Sequence, residues 1–399
     1  MRLSILPGLP KGTVAVPQSK SEAHRLLCLA ALSEGVSVIR SLPHNDDISA
    51  TLDGLRAFGV TAEVENGVAF VRGGLHAPDA PLSVCCRESA STLRFLIPFA
   101  LLTGRETLFT GSGNLLSRPV DAYVPLCSRL GGSLTKTDRG ILVRGKLTPG
   151  DYTVSGEESS QFASGMLMAL SSLKNSRLHL SERPVSRPYL DQTVSLLPRF
   201  GVTVSESDLT FSFAGRLSAC SIEVGGDWSS GAVWHALNAL GADAQVTGLD
   251  DRSADADRAV TSLLPLLISG APTVSLRDTP DLFPLLAAVA AAKNGAAFTD
   301  TARLRRKESD RVAAMQTELS KFGVTVEATE DTVRVTPPKN GLLMPKEVLS
   351  GHGDHRVVMA LASLCCLTGG VLTGTEAVTK SYPAFFGHLK SLGVKAEEI

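Results

Sequence analysis

A short pattern of helix, glycine and strand returns six times along the chain, and it limits the fold more than any other feature. It reads Leu55-Arg56-Ala57-Phe58-Gly59-Val60, then Cys127-Ser128-Arg129-Leu130-Gly131-Gly132, then Leu197-Pro198-Arg199-Phe200-Gly201-Val202. It comes back as Leu267-Ile268-Ser269-Gly270, Leu319-Ser320-Lys321-Phe322-Gly323-Val324 and Leu389-Lys390-Ser391-Leu392-Gly393-Val394. Glycine at that place can take the left-handed conformation that closes a helix. The residues after it alternate in polarity, as in Val202-Thr203-Val204 and Val324-Thr325-Val326, which is the period of a strand. The spacing is roughly seventy residues apart from one shorter step.

A second helix recurs within the same period, and its start is always polar. The starts are Ser19-Lys20-Ser21, Glu88-Ser89-Ala90-Ser91, Ser159-Ser160-Gln161, Asp227-Trp228-Ser229-Ser230, Thr279-Pro280-Asp281 and Gly353-Asp354-His355-Arg356. Ser, Thr and Asp are good helix caps, and taken singly each start needs no further explanation. Taken together they suggest more. Six equivalent helices in two threefold groups would point N-termini toward one cleft, and free N–H groups there attract anions.

The bulk properties leave that reading open. Of the 399 residues, 20% are charged and the formal net charge is -1, which argues against a nucleic-acid binder relying on a broad basic surface. A chain of this length is expected to form two domains, or three. Seven cysteines, odd in number and without a C-x-x-C spacing, argue against a zinc site or a disulfide framework and fit a reducing compartment. No signal peptide and no membrane-spanning stretch is visible, so a cytoplasmic protein is expected.

Cations cluster at the helix starts and in the loops between repeats: Lys20, Arg25, Arg94, Arg118, Lys307, Arg311, Arg356 and Lys380. Any one alone is an ordinary solvated side chain. Recurrence at equivalent places points to a site, with Arg as a rigid fork for carboxylate or phosphate and Lys as a point charge. Asp281 and Glu308 lie among these cations, where carboxylates stay ionised and can move protons. No nucleophile with its base, no G-x-x-x-x-G-K-[ST] loop and no G-x-G-x-x-G after a strand is present.

Seven motifs in order resemble the 5-enolpyruvylshikimate-3-phosphate synthase family of enolpyruvyl transferases, along essentially the whole chain. They are Pro17-Gln18-Ser19-Lys20-Ser21 with Arg25, Leu116-Ser117-Arg118-Pro119, Ser159-Ser160-Gln161-Phe162, Ser186-Arg187-Pro188-Tyr189, Leu304 to Arg311, Asp354-His355-Arg356 and Lys380-Ser381-Tyr382-Pro383. The resemblance implies an α/β fold of the inside-out barrel type, six βαβαββ repeats with three per domain. One domain would hold residues 1–17 and 227–399, on the phosphoenolpyruvate side. The other would hold 18–226, on the shikimate 3-phosphate side, with the active site in the interdomain cleft. It implies enolpyruvyl transfer from phosphoenolpyruvate to the 5-hydroxyl of shikimate 3-phosphate by addition and elimination, on a monomer, with no cofactor, metal, nucleic acid or membrane.

Residue roles follow from the same likeness. Ser159, Ser160, Ser186 and Lys307 would hold the shikimate phosphate, and Ser21, Arg25, Gln161 and Tyr189 the ring and carboxylate. Lys20 and Asp281 would touch this substrate too. Phosphoenolpyruvate would meet Lys20, Ala90, Arg118, Gln161, Arg311, His355, Arg356 and Lys380. Lys20, Asp281 and Glu308 would be catalytic. The third helix start departs from the family, since Ala90 stands where a Gly is usual and Glu88 where an amide is usual. The Ala90 methyl is expected to crowd glyphosate, a bulkier mimic of phosphoenolpyruvate. A sister enzyme acting on UDP-N-acetylglucosamine would carry Lys-Asn in place of Lys20-Ser21 and a loop Cys that the segment Gly111 to Pro119 lacks. A catalytically silent anion-binding protein on the same scaffold would have lost Lys20, Asp281, Glu308 or Lys380, and all four are present.

Overall fold

The glycine-ended pattern turns into one sheet topology, repeated. A computed structural model of the chain describes residues 1–399. Strands Leu82–Cys85 and Thr107–Thr110 pair in parallel, and the hairpin of Ser133–Thr137 and Gly140–Arg144 adds antiparallel to the second. Parallel pairing requires a crossover, which the helix Ala90–Thr103 supplies. The spatial order is first, second, fourth, third, and it recurs in 151–215 and 273–336. This is the expected βαβαββ unit.

Two more four-stranded sheets are completed by strands distant in sequence. Ser221–Glu223 pairs in parallel with Val36–Arg40. Arg2–Ile5 lies between Gly370–Thr373 and Ala396–Glu398. The chain divides into two compact units, Met1–Pro17 with Gly226–Ile399, and Gln18–Gly225. Each has its own core, built mostly of Ala, Val and Leu because aromatic residues are only 5% of the chain. Where the chain passes between units, Asp227 N donates to Pro17 O and Ser19 N to Gly225 O.

One of the six repeats, the fourth along the chain, is abbreviated. Strand Asp243–Thr247 pairs only with Lys11–Ala15, in a two-stranded sheet without a hairpin. That absence accounts for the one short step in the period. After the helix Val260–Ser269, Gly270 has an extended backbone with φ -177°, whereas the corresponding Gly59, Gly131, Gly201, Gly323 and Gly393 have φ between 68° and 93°. A left-handed glycine turns a helix back into its hairpin. Here there is no hairpin to enter, and the chain runs straight on to Thr273–Ser275. Leu266 and Ile268 of that helix are each 48% exposed, as expected where covering strands are missing.

Caps hold at five of the six polar starts. Side chains of Ser19, Ser89, Ser159, Asp227 and Asp354 each accept from a backbone N–H of the first turn. Thr279 does not cap; a short 3-10 turn, Pro280–Leu282, precedes the helix Phe283–Ala292 and contains Asp281. All seven cysteines are free thiols, and no helix is long and apolar enough to cross a membrane.

Candidate active site

The expected residues fall into two groups, one per unit. In Gln18–Gly225 three capped helices bring their starts together, Lys20–Leu32, Ala90–Thr103 and Ser160–Ser171. Lys20 opens the first of these, and its ammonium lies 2.8 Å from Asp47 Oδ2. Arg94 NH1 donates to Gln161 Oε1 at 2.8 Å, and Gln161 Nε2 donates to Ser91 Oγ at 2.9 Å. These bonds tie the second start to the third and fix which way the Gln161 amide faces. Ala90 is the first residue of its helix and 6% exposed. Glu88 is exposed and lies against the turn at Gly113.

Arg25 is 2% exposed and braces this wall from behind. Its Nε donates to Thr193 Oγ1 at 2.7 Å, NH1 to Ser21 O and NH2 to Tyr189 O, each at 2.8 Å. It therefore sets the backbone of Ser21 and Tyr189, two other expected ligand residues. Ser186 has a left-handed backbone, φ 55°, immediately before the helix Arg187–Leu196. Such a conformation in a buried serine is a local strain that the surrounding packing must hold. Ser160 is also buried, while Ser159, Gln161, Tyr189 and Arg118 are half-buried.

The second group is an ion network in the other unit. Asp281 Oδ1 lies 2.6 Å from Arg311 NH1 and 3.3 Å from Lys307 Nζ, and its Oδ2 lies 3.2 Å from Arg356 NH2. Burial opposes ionisation of Asp281, but Arg356, Lys307 and Arg311 outweigh it and hold the carboxyl well below its usual range. Glu308 Oε2 lies 2.7 Å from Arg311 NH2. Lys380 Nζ donates to Gly353 O at 3.0 Å, beside the start that carries buried His355 and Arg356.

Arg311 is fully buried and serves three carboxylates. Besides Asp281 and Glu308 it donates from Nε to Asp354 Oδ2 at 2.8 Å, and NH2 reaches Asp354 Oδ1 at 3.4 Å. Four of the five N–H bonds of a guanidinium are thus committed within the protein. The geometry makes Arg311 a hub that spaces Asp281 and Glu308 as much as a ligand for an anion. Asp354, Asp47, Ser229 and Asp257 join the site without any residue-level signal in the sequence that assigns them to it. Asp354 stood within a motif, but its partner Arg311 is distant in sequence, and Asp257 carries no local signature at all.

Such a network, with cations over ionised carboxylates alongside capped helix starts, defines an α/β protein of repeated units suited to anionic ligands. The comparisons narrow the class. The family model described as EPSP synthase (3-phosphoshikimate 1-carboxyvinyltransferase) matches residues 9–389. The chain is similar to the 3-phosphoshikimate 1-carboxyvinyltransferase of Clostridium kluyveri, 37% identical over 425 aligned residues that cover 99% of this chain and 98% of that protein. It is 33% identical to the enzyme of the same name from Methanocorpusculum labreanum, with both chains fully covered. The solved EPSP synthase of Acinetobacter baumannii superposes with a TM-score of 0.79 over the full length of both chains, and its 23% identity bears on the fold alone. The chain belongs to the EPSP synthase family.

Proposed function

We propose that the chain transfers the enolpyruvyl group of phosphoenolpyruvate to the 5-hydroxyl of shikimate 3-phosphate and releases phosphate. The carrying observation is Asp281, a carboxylate shared by Lys307, Arg311 and Arg356 with Glu308 on the same arginine. In the reaction the 5-hydroxyl gives up its proton as its oxygen bonds to C2 of the enolpyruvyl group, and the methylene carbon gains a proton. The tetrahedral intermediate then loses phosphate by C–O cleavage and returns a methyl proton, restoring the double bond. Two proton transfers on opposite sides of one carbon call for two carboxyl groups held apart, and Asp281 and Glu308 on separate nitrogens of Arg311 supply that spacing.

The electrostatics give an order to these events. In the free protein three cations keep Asp281 ionised and weakly basic. Phosphate and carboxylate groups arriving at Lys307 and Arg356 offset those charges and raise Asp281 toward the range of a working base. In this reading Lys20, Ala90, Arg118, Gln161, Arg311, His355, Arg356 and Lys380 receive phosphoenolpyruvate. Ser21, Arg25, Ser159, Ser160, Gln161, Ser186, Tyr189 and Lys307 receive shikimate 3-phosphate, which Lys20 and Asp281 touch as well. Both sets reside on one chain, which supports a monomeric enzyme, and seven free thiols support a reducing compartment such as the cytoplasm.

The test is phosphate release from phosphoenolpyruvate, measured with shikimate 3-phosphate and, separately, with UDP-N-acetylglucosamine. Release with the first acceptor alone is expected. No release with shikimate 3-phosphate would overturn the assignment.

A further inference from the structure

Beneath Arg356 lies a layer of buried acid that the reaction as described does not use. Asp227, Asp255 and Asp257 are 3%, 6% and 0% exposed, and the last two sit at the 3-10 turn Ala256–Ala259. Asp227 caps its own helix, accepting from Ser229 N, Ser230 N and Ser230 Oγ. Asp255 accepts from Asp257 N at 2.9 Å as cap of the 3-10 turn. Burial, and the Asp257 and Asp227 carboxylates next to it, push its carboxyl well above the usual range, so that it stays protonated. Asp257 turns toward the site. Its Oδ2 accepts from the Ser229 hydroxyl and lies 3.4 Å from Arg356 NH1. Ser229 Oγ in turn accepts from Arg356 NH2 at 3.1 Å.

Arg356 also donates to the carboxylate and backbone oxygen of Asp281, at 3.2 and 3.3 Å. Asp281 is also engaged by Lys307 and Arg311. If Asp281 takes up a proton during the reaction, its grip on Arg356 loosens in that step, at the moment when the guanidinium has most to hold. A second anchor that does not exchange protons keeps the fork in place. A carboxylate with no exposure is costly to bury unless a cation and hydrogen bonds compensate it, and here the compensating cation is the one aimed at the substrate.

We infer that Asp257 and Ser229 are positioning residues for phosphoenolpyruvate binding, acting through Arg356. The inference rests on the reading of Arg356 as a phosphoenolpyruvate ligand. Hydrogen bonds to a charged group set the scale, so Asp257→Asn is expected to raise the KM for phosphoenolpyruvate by about tenfold or more, and Ser229→Ala by about threefold to tenfold. The KM for shikimate 3-phosphate is expected to stay within about twofold.

The experiment compares steady-state kinetics of Asp257→Asn, Ser229→Ala, Arg356→Gln and the pairwise doubles with Arg356→Gln, with thermal unfolding as a control for folding. Residues acting through Arg356 add little once it is gone, so the doubles are expected to match Arg356→Gln alone. Additive losses in the doubles would overturn the inference. So would folded single variants whose phosphoenolpyruvate KM stays at the wild-type value while that of Arg356→Gln rises. A wild-type KM in Arg356→Gln would instead overturn the reading of Arg356 itself. Ser229→Ala removes a single oxygen and keeps the inference testable if Asp257→Asn fails to fold.

Discussion

Burial pushes the Lys307 ammonium down to about 8, although Asp281 at 3.3 Å pulls the other way. A lysine that receives a phosphate dianion must be charged to do so. Below about pH 8 it is, and as pH rises through that value the free enzyme loses the charge. The kcat/KM for shikimate 3-phosphate is therefore expected to fall above about pH 8 in the wild-type enzyme. Lys307→Arg, whose guanidinium does not titrate there, is expected to flatten that limb whatever its absolute rate. An unchanged alkaline limb in Lys307→Arg would remove Lys307 from this role. The residue types of the site were legible in the chain, since Lys307, Glu308 and Arg311 stand in one short run. Their division of labour was not. Arg311 is spent mostly on Asp354, Asp281 and Glu308, and a sequence cannot show which donors a guanidinium has already given away.

At the scale of elements the short step in the repeat was visible, but its meaning was not. Only the pairing pattern shows that the unit around Asp243–Thr247 has no hairpin. Its open edge is covered by a side chain instead. Asp243 N and Thr247 O bond toward the Lys11–Ala15 side, which turns Ala244 outward. Asn238, on the helix Trp228–Leu240, donates to Ala244 O at 2.8 Å and accepts from Ala244 N at 2.9 Å, in the place a third strand would take. Asn238→Ala leaves both backbone groups without that partner and is expected to cost about 1–3 kcal/mol. For a unit of this size each kcal/mol lowers Tm by about 2–4 °C. Differential scanning calorimetry reads this directly, and a variant that melts with the wild type would show that the amide is not what closes the edge.

The whole molecule is asymmetric in how its two units are made. Gln18–Gly225 is continuous, and its last strand, Ser221–Glu223, returns to pair with Val36–Arg40 and completes a sheet within the unit. The other unit takes Arg2–Ile5 into the middle of a sheet and Lys11–Ala15 as the sole partner of Asp243–Thr247. A fragment of residues 18–225 is therefore expected to unfold in one cooperative transition by circular dichroism. A fragment of 226–399 is expected to lack such a transition until a peptide of residues 1–17 is added. Cooperative unfolding of 226–399 alone would contradict that account.

The repeated unit, five of the capped helix starts and the identities of the charged residues can be read from the chain alone. All of these follow from local rules, periodicity and the needs of backbone N–H groups. Long-range packing is what leaves the fourth unit without a hairpin, gives the place of Thr279 to a 3-10 turn, and holds Arg356 from below with Asp257 and Ser229. Those outcomes depend on partners that are far apart along the chain, Asp257 and Arg356 among them. Which of several equally charged groups will meet is set by packing, and local sequence carries no record of it.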